Sequence, residues 1–177
     1  MLIVGLGAIG TETARLCHAF GTHVTAIARS KKKKLPFVER FATSERLDDL
    51  LPEADYVIIT LPHTEETHHL FDKKKFKLMK SSAVAINIGR GGIINEKDLI
   101  ESLQKKIIAG AGLDVFEKEP LSADSPLWDM QNVIITPHHS GLSLRYMDRA
   151  VEILCKNLTV YLKGVPPPNE VDKKLGY

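Results

Sequence analysis

An α/β fold built on a doubly wound parallel sheet is what this sequence predicts, and three observations predict it. Apolar runs of strand length alternate with segments whose apolar residues fall at helical spacing, the signature of successive βαβ units. Two of those runs, Tyr56 to Leu61 (YVIITL) and Ala83 to Ile88 (AVAINI), are continuous rather than alternating, as strands covered on both faces are. A glycine-rich turn, Gly5-Leu6-Gly7-Ala8-Ile9-Gly10, separates the first apolar run from the first helical segment.

The elements follow in order. Met1 to Gly5 (MLIVG) reads as a short buried strand, and Ile9, Thr13, Leu16 and Phe20 then step at helical spacing. His23 to Ala28 is a second strand rich in β-branched residues, and a further short strand is expected around Phe37 to Ala42. Ser44 to Pro52 reads as a short helix with Ser44 as its N-cap. Tyr56 to Leu61 is a strand, Thr64 to Lys80 is helical or turn-rich, and Ala83 to Ile88 is a strand. Asn95 caps a helix running to about Lys105, and Ile107 to Leu113 and Val133 to Thr136 complete the strands. Leu144, Met147, Val151, Leu154, Leu158 and Tyr161 step by three and four, which predicts a long amphipathic helix capped by Ser143. From Gly164 the tail, with Pro166, Pro167 and Pro168, should be extended and irregular.

Composition bounds the possibilities. The 177 residues suit a single domain, 1–163, followed by a tail, 164–177. Hydrophobic residues make up 44% and charged residues 26%, an ordinary soluble globular balance. A net charge of only +2 gives no reason to expect a nucleic-acid partner or a membrane surface. Cys17 and Cys155 lie far apart and outside any CxxC pattern, so two free thiols are expected. No apolar stretch is long enough to span a bilayer. The N-terminus lacks the basic-then-apolar pattern of a secretory signal. A soluble cytoplasmic protein is expected. No cluster of His, Cys and Asp has metal-ligand spacing, and no metal is predicted.

Gly5, Gly7 and Gly10 form GxGxxG between a strand and a helix, the context that makes this motif a dinucleotide-binding, Rossmann-type signature. The first glycine permits the tight turn. The second lets the backbone approach a pyrophosphate, and the third allows close packing of helix on strand. Amides of Ala8 and Ile9 at the helix start favour phosphate charge. An acidic residue about 20 residues on would bind the adenosine ribose of NAD. Here that place reads Ala28-Arg29-Ser30, followed by Lys31 to Lys34. Arg29 and Ser30 can contact a 2′-phosphate, and the lysines add positive potential or form a solvated loop. NADP is therefore favoured over NAD; the competing reading has Arg29 stacking on adenine with NAD still used.

Four more motifs occur in a fixed order. They are Leu61-Pro62-His63-Thr64-Glu65-Glu66-Thr67, Asn87-Ile88-Gly89-Arg90-Gly91-Gly92, Gly112-Leu113-Asp114-Val115-Phe116-Glu117-Lys118-Glu119-Pro120 and Thr136-Pro137-His138-His139-Ser140-Gly141. With the glycine loop, this set resembles the D-isomer-specific 2-hydroxyacid dehydrogenases, which include phosphoglycerate, glyoxylate/hydroxypyruvate and D-lactate dehydrogenases. The resemblance covers nearly the whole chain. It implies an oxidoreductase that transfers a hydride between NAD(P)H and a small 2-oxo or 2-hydroxy acid. It implies that Arg90 binds the substrate carboxylate, that His138 is the acid/base and that Glu119 bonds that histidine. It also places Asp114 near the nicotinamide, with Leu61, Pro62, Thr67, Ile88, Gly89, Arg90, His138, Ser140 and Gly141 along the cofactor cleft. The residue types suit those roles: a guanidinium offers a fork of donors to a carboxylate, and a histidine beside a carboxylate is stabilised as the proton-donating imidazolium. Each has a plainer reading. Arg90 can be a surface arginine of a Gly-rich loop, Glu119 one charge of the solvated stretch 117–119, and His139 rather than His138 the base. His68 and His69 are read as exposed helix residues. The related formate dehydrogenases resemble this pattern but carry Gln where Glu119 stands, so the resemblance favours a 2-hydroxy or 2-oxo acid over formate, and phosphite stays open.

The first strand begins at Met1 with almost nothing before the glycine loop, so the chain reads as truncated relative to the two-domain family. A cofactor-binding portion that binds dinucleotide weakly and turns over poorly or not at all is the expectation. The alternative is a non-catalytic dinucleotide-sensing interaction module resembling the C-terminal-binding-protein corepressors. By resemblance a homodimer is expected, with the helix after Ser143 serving as its surface or packing on the chain's own sheet.

Overall fold

Strand-length aliphatic runs need two covered faces, and this chain provides them by winding helices on both sides of one sheet. The computed structural model describes residues 1–29 and 35–173, so Ser30, Lys31 to Lys34 and Lys174 to Tyr177 lie outside the described residues. The described chain forms two compact units, Met1–Pro137 and His138–Tyr177.

The first unit holds β1 (Leu2–Val4), β2 (Thr25–Ile27), β3 (Arg40–Ala42), β4 (Tyr56–Ile59), β5 (Val84–Asn87), β6 (Gly110–Leu113) and β7 (Val133–Ile135). Their order is β3-β2-β1-β4-β5-β6-β7, and every pairing is parallel. The chain steps outward from β1 to β2 and β3. It then returns to the opposite side of β1 with β4 and runs outward again. Val4 therefore pairs with Ile27 on one side and Ile59 on the other. This reversal is the switch point of a doubly wound sheet, and ligands bind in the crevice outside the strands' carboxyl ends there.

Side chains of successive strand residues point to opposite faces. Leu2 and Val4 of β1 join Val57, Ile59, Phe71, Phe76 and Leu99 in one apolar cluster. Ile3 joins Ala14, Val24, Ala26 and Ile58 in the other. Full burial of each such aliphatic side chain stabilises by about 1.5–3 kcal/mol, and this commits both faces of β1 to the core.

Helix α1 (Ala8–Ala19) follows the glycine loop and buries Gly10 and Ala14. Helix α2 is a single turn, Leu47–Leu50. Helix α3 (Lys73–Leu78) is capped by Asp72, whose carboxylate accepts from the Lys74 and Lys75 amides. Helix α4 (Glu96–Gln104) is capped as expected by Asn95, whose side chain accepts from the Asp98 amide at 3.0 Å. Ser44 is not a cap. It is the first residue of a 3-10 turn, Ser44–Arg46, and Thr43 precedes it in extended conformation. His68 and His69 lie in a turn, not a helix, because the chain tightens after Thr64. The expected strand from Phe37 shortens to Arg40–Ala42, and that from Ile107 to Gly110–Leu113.

In the second unit, α5 spans Tyr146–Tyr161. The expected cap at Ser143 is incorrect. The residue before the helix is Arg145, and Ser143 contributes only its carbonyl, accepting from the Tyr146 amide at 3.0 Å. Leu144 thus precedes the helix. Gly164 then turns the chain at φ 72°.

Candidate active site

Most residues singled out from the sequence lie at the carboxyl edge of the sheet. β1 ends at the glycine loop. The Gly5 amide donates to the Ile27 carbonyl at 3.0 Å, tying the loop to the end of β2. Gly7 flanks the start of α1 in extended conformation, and a Cβ built there would meet nothing within 4 Å. Ala8 and Ile9 are exposed beside it, and no acidic side chain occupies the first turn of α1. Gly10 is the opposite case: a Cβ there would stand 2.0 Å from the Gly5 carbonyl oxygen and 2.7 Å from Thr60 Oγ1. Only glycine lets α1 sit this close to the loop. The result is an open run of backbone amides at a helix start, the arrangement that holds a pyrophosphate. Arg29 is exposed two residues past the end of β2. The Ala28 amide before it donates to the Ala42 carbonyl at 3.0 Å. Arg29 is thereby fixed at the same edge as the glycine loop. Ser30 is outside the described residues.

β4 leads into the second loop. Thr60 Oγ1 donates to the Gly5 carbonyl at 2.7 Å, and the Thr60 amide donates to Val4 at 2.9 Å. Leu61 and Pro62 follow, half-buried. Thr67 closes this loop: its hydroxyl donates to the Pro62 carbonyl at 2.7 Å and accepts from the Thr64 amide at 2.8 Å. Its contribution is to hold the loop's shape.

β5 leads into the loop of Arg90. Asn87 is 1% exposed, and both ends of its side chain are used. Oδ1 accepts from the Gly89 amide at 3.0 Å, and Nδ2 donates to the Arg90 carbonyl at 2.9 Å. The Ile88 amide donates to the Ile59 carbonyl. The turn is thus set from beneath, and Arg90 stands exposed on it, with Nη1 donating to the Gly89 carbonyl at 2.7 Å. Gly91 lies flush on the next loop, where a Cβ would come 1.8 Å from the Phe116 carbonyl oxygen.

β6 leads into Asp114, which is 3% exposed and accepts from the Thr136 hydroxyl at 2.6 Å. Glu119 is exposed, and Oε1 accepts from the Phe116 amide at 3.1 Å, which folds its loop back on itself. Arg90, Asp114 and Glu119 therefore all follow adjacent strands of one sheet. His138, Ser140 and Gly141 belong to the second unit. There His138 takes the left-handed conformation at φ 52°, and the His139 carbonyl accepts from the Leu142 amide.

Thr60, Asn87 and Thr136 were not singled out as site residues from the sequence. A polar residue closing an apolar run is the one signal they carry.

Residues 1–140 match the model of the D-isomer specific 2-hydroxyacid dehydrogenase, NAD binding domain. The chain belongs to this family. It is 44% identical over 174 residues to a glyoxylate/hydroxypyruvate reductase B of Escherichia fergusonii, covering 98% of this chain and 53% of the relative. It is 38% identical over 175 residues to a glyoxylate reductase of Pyrococcus horikoshii, covering 98% and 51%. The chain thus spans about half the length of these relatives. Among solved structures it superposes at a TM-score of 0.93, with 34% identity, on a D-isomer specific 2-hydroxyacid dehydrogenase from Xanthobacter autotrophicus Py2 in complex with NADPH and MES. That match covers 100% of this chain and 72% of the other. A glyoxylate/hydroxypyruvate reductase from Sinorhizobium meliloti in complex with NADP and sulfate superposes at 0.91, with 34% identity, over 99% of this chain and 56% of the other. The sheet, the glycine loop and the order of the motifs are those of an NAD(P)-binding domain. Among the described residues, no helix is long and apolar enough to cross a membrane.

Proposed function

We propose that this chain is the NADP(H)-binding portion of a reductase acting on small 2-oxo acids such as glyoxylate and hydroxypyruvate. The open amides at Gly7 and the start of α1, joined to Arg29 on one edge, carry this reading. The residues present fit the dinucleotide. The glycine loop and the start of α1 would hold the pyrophosphate, and Arg29 would offer a bidentate fork to a 2′-phosphate that a carboxylate at this place would repel. When bound, the nicotinamide supplies the hydride.

The chain's own residues do the rest. Arg90, on the turn braced by Asn87, binds the oxo acid's carboxylate and stabilises negative charge growing on its carbonyl oxygen. In this reading His138 is the proton donor to that oxygen, and Glu119 is the carboxylate that the family pairs with it. Asp114, held by the Thr136 hydroxyl, would be one of the residues that hold the nicotinamide end of the cofactor. Relatives bearing reductase names and neighbours with NADPH or NADP bound support the same reading. Self-association belongs to it as well: Met147, Val151, Leu154 and Leu158 form an exposed apolar stripe on α5, the kind of surface a second copy covers. Light scattering reads the resulting mass.

The chemistry is tested by NADPH oxidation at 340 nm with glyoxylate and hydroxypyruvate. Turnover by this chain should be slow. Arg90→Gln and His138→Gln should each lower it at least tenfold, a loss of roughly 1.4 kcal/mol of transition-state stabilisation. NADPH binding with no difference in rate between the chain and these variants contradicts the proposal.

A further inference from the structure

Three histidines run in a line beside the Arg90 turn. His63 Nε2 lies 3.0 Å from His68 Nδ1. The rings of His68 and His69 stack, centroids 3.9 Å apart and planes inclined by 23°. His69 Nε2 then lies 2.8 Å from Glu117 Oε1. We propose that His63, His68 and His69 form a strap, anchored on Glu117, that positions the turn carrying Arg90 and stays fastened only while the His63–His68 pair carries at most one positive charge. The proposal rests on the reading that Arg90 binds the substrate carboxylate.

The strap reaches the turn by backbone and by side chain. The His69 amide donates to the Gly92 carbonyl at 2.8 Å. Beyond it, the Phe71 amide donates to Ile93 at 3.0 Å and the Asn95 amide to Phe71 at 2.9 Å, so residues 69–71 run as a short parallel ladder along 92–95. His63 lies directly over Gly92, where a Cβ would come within 2.8 Å of Nε2. At the far end, Glu117 Oε1 also accepts from the Glu96 amide at 2.9 Å, and Glu96 Oε2 accepts from the Glu117 amide at 3.3 Å. Burial pushes the Glu96 carboxyl up, and the Glu117 amide pulls it back. The strap therefore links the loops after β4, β5 and β6. His69 also holds a left-handed backbone at φ 50°. That conformation is costly for a residue with a side chain and persists where surrounding contacts impose it. Here the contacts are its amide bond to Gly92, its stack on His68 and its pair with Glu117.

Hydrogen-bond valence sets the condition. A neutral imidazole has one donor and one acceptor nitrogen, and a protonated one has two donors. With no charge or one charge on the pair, a single proton lies between His63 Nε2 and His68 Nδ1, and the bond holds. With two charges both nitrogens donate, and the contact becomes a repulsion. The charged groups carried by the linked segments are Glu65 and Glu66 on the pair's own turn, Arg90 on the strapped turn, Glu96 and Lys97 at the start of α4, and Glu117 and Lys118 on the loop after β6.

The test is NMR on the uniformly 15N-labelled 177-residue chain. Ring nitrogens of the three histidines and the Gly92 amide are followed as pH falls from about 8.5 to 5, the span around an unperturbed histidine. The Gly92 amide should move with the second protonation of the His63–His68 pair, while the amide of Ile58, buried in β4, should not. His68→Gln keeps an uncharged partner for His63, so its Gly92 amide should match wild type at pH 8.5 and lose its response to acid. His63→Gln should do the same from the other side, whereas His68→Ala should displace the Gly92 amide already at high pH. A Gly92 amide that stays still through the histidine titrations overturns the proposal, as does one that keeps its wild-type response to acid in either Gln variant. Neither cofactor nor turnover enters this readout, so it succeeds or fails separately from the reductase reading.

Discussion

Replacing Asn87 by leucine isolates the brace beneath Arg90. The substitution keeps most of the volume and removes both polar ends. Gly89, which is buried, loses the acceptor for its amide at 3.0 Å, and the Arg90 carbonyl loses its donor at 2.9 Å. Each of the two groups left unmade costs about 1–3 kcal/mol, so Asn87→Leu should destabilise by about 2–6 kcal/mol. With a urea slope of about 2 kcal/mol/M, the midpoint should fall by about 1–3 M. Circular dichroism across a urea series measures this directly. Asn87→Asp sharpens the test: it keeps an acceptor for Gly89 but buries a charge whose second oxygen faces the Arg90 carbonyl. Its pKa is raised by that burial, so its penalty should shrink as pH falls and the carboxyl becomes a neutral donor. An Asn87→Leu midpoint equal to wild type within the error of linear extrapolation would mean that the Arg90 turn does not depend on these two hydrogen bonds.

Other consequences follow from the same geometry. Gly10→Ala drives a methyl to 2.0 Å from the Gly5 carbonyl oxygen, so thermal melting should show a loss of about 1–3 kcal/mol and NADPH titration a weakened site. Thr136→Val removes the hydroxyl donating to buried Asp114, and should cost about 1–3 kcal/mol in chemical denaturation near neutral pH. Glu101 is held at about 2, below the ordinary 4.5, first by its hydrogen bond from Lys105 and then by that from Lys73. A depressed carboxylate stabilises the fold above its unfolded value and loses that contribution as pH falls through its folded value. Glu101→Gln should therefore flatten the stability profile between pH 4.5 and 2. The groups are solvated, so the effect is small and added salt should erase most of it.

The strands were legible because continuous aliphatic runs have few other uses in a chain of this composition. The glycine loop was legible because its neighbours on either side were a strand and a helix. The motifs close apolar runs, and the structure accordingly has Arg90 after β5 and both Asp114 and Glu119 after β6. What stayed hidden depends on partners distant in sequence. Thr60 bonds Gly5 across 55 positions, so nothing local marks it. Asn87 looked like the first letter of a motif, yet its role comes from burial under a turn. His68 and His69 read from the sequence as solvent-facing helix residues because their spacing says nothing about Glu117, which lies on another loop. Ser143 failed as a cap for a local reason: a 3-10 contact through its carbonyl brings the chain into the helix, and its hydroxyl is not what starts α5.

On the proposed reading this edge binds a dinucleotide and Arg29 reads its 2′-phosphate. Titration of NADPH and NADH into the chain, followed by nicotinamide fluorescence and repeated on Arg29→Ala, tests it most directly. A charge-assisted contact contributes about 1.5–3 kcal/mol, so NADPH should bind roughly tenfold to a hundredfold more tightly than NADH. Arg29→Ala should abolish that preference while leaving NADH affinity nearly unchanged. Equal affinities in the unaltered chain, a preference that survives in Arg29→Ala, or binding of neither dinucleotide would contradict the account.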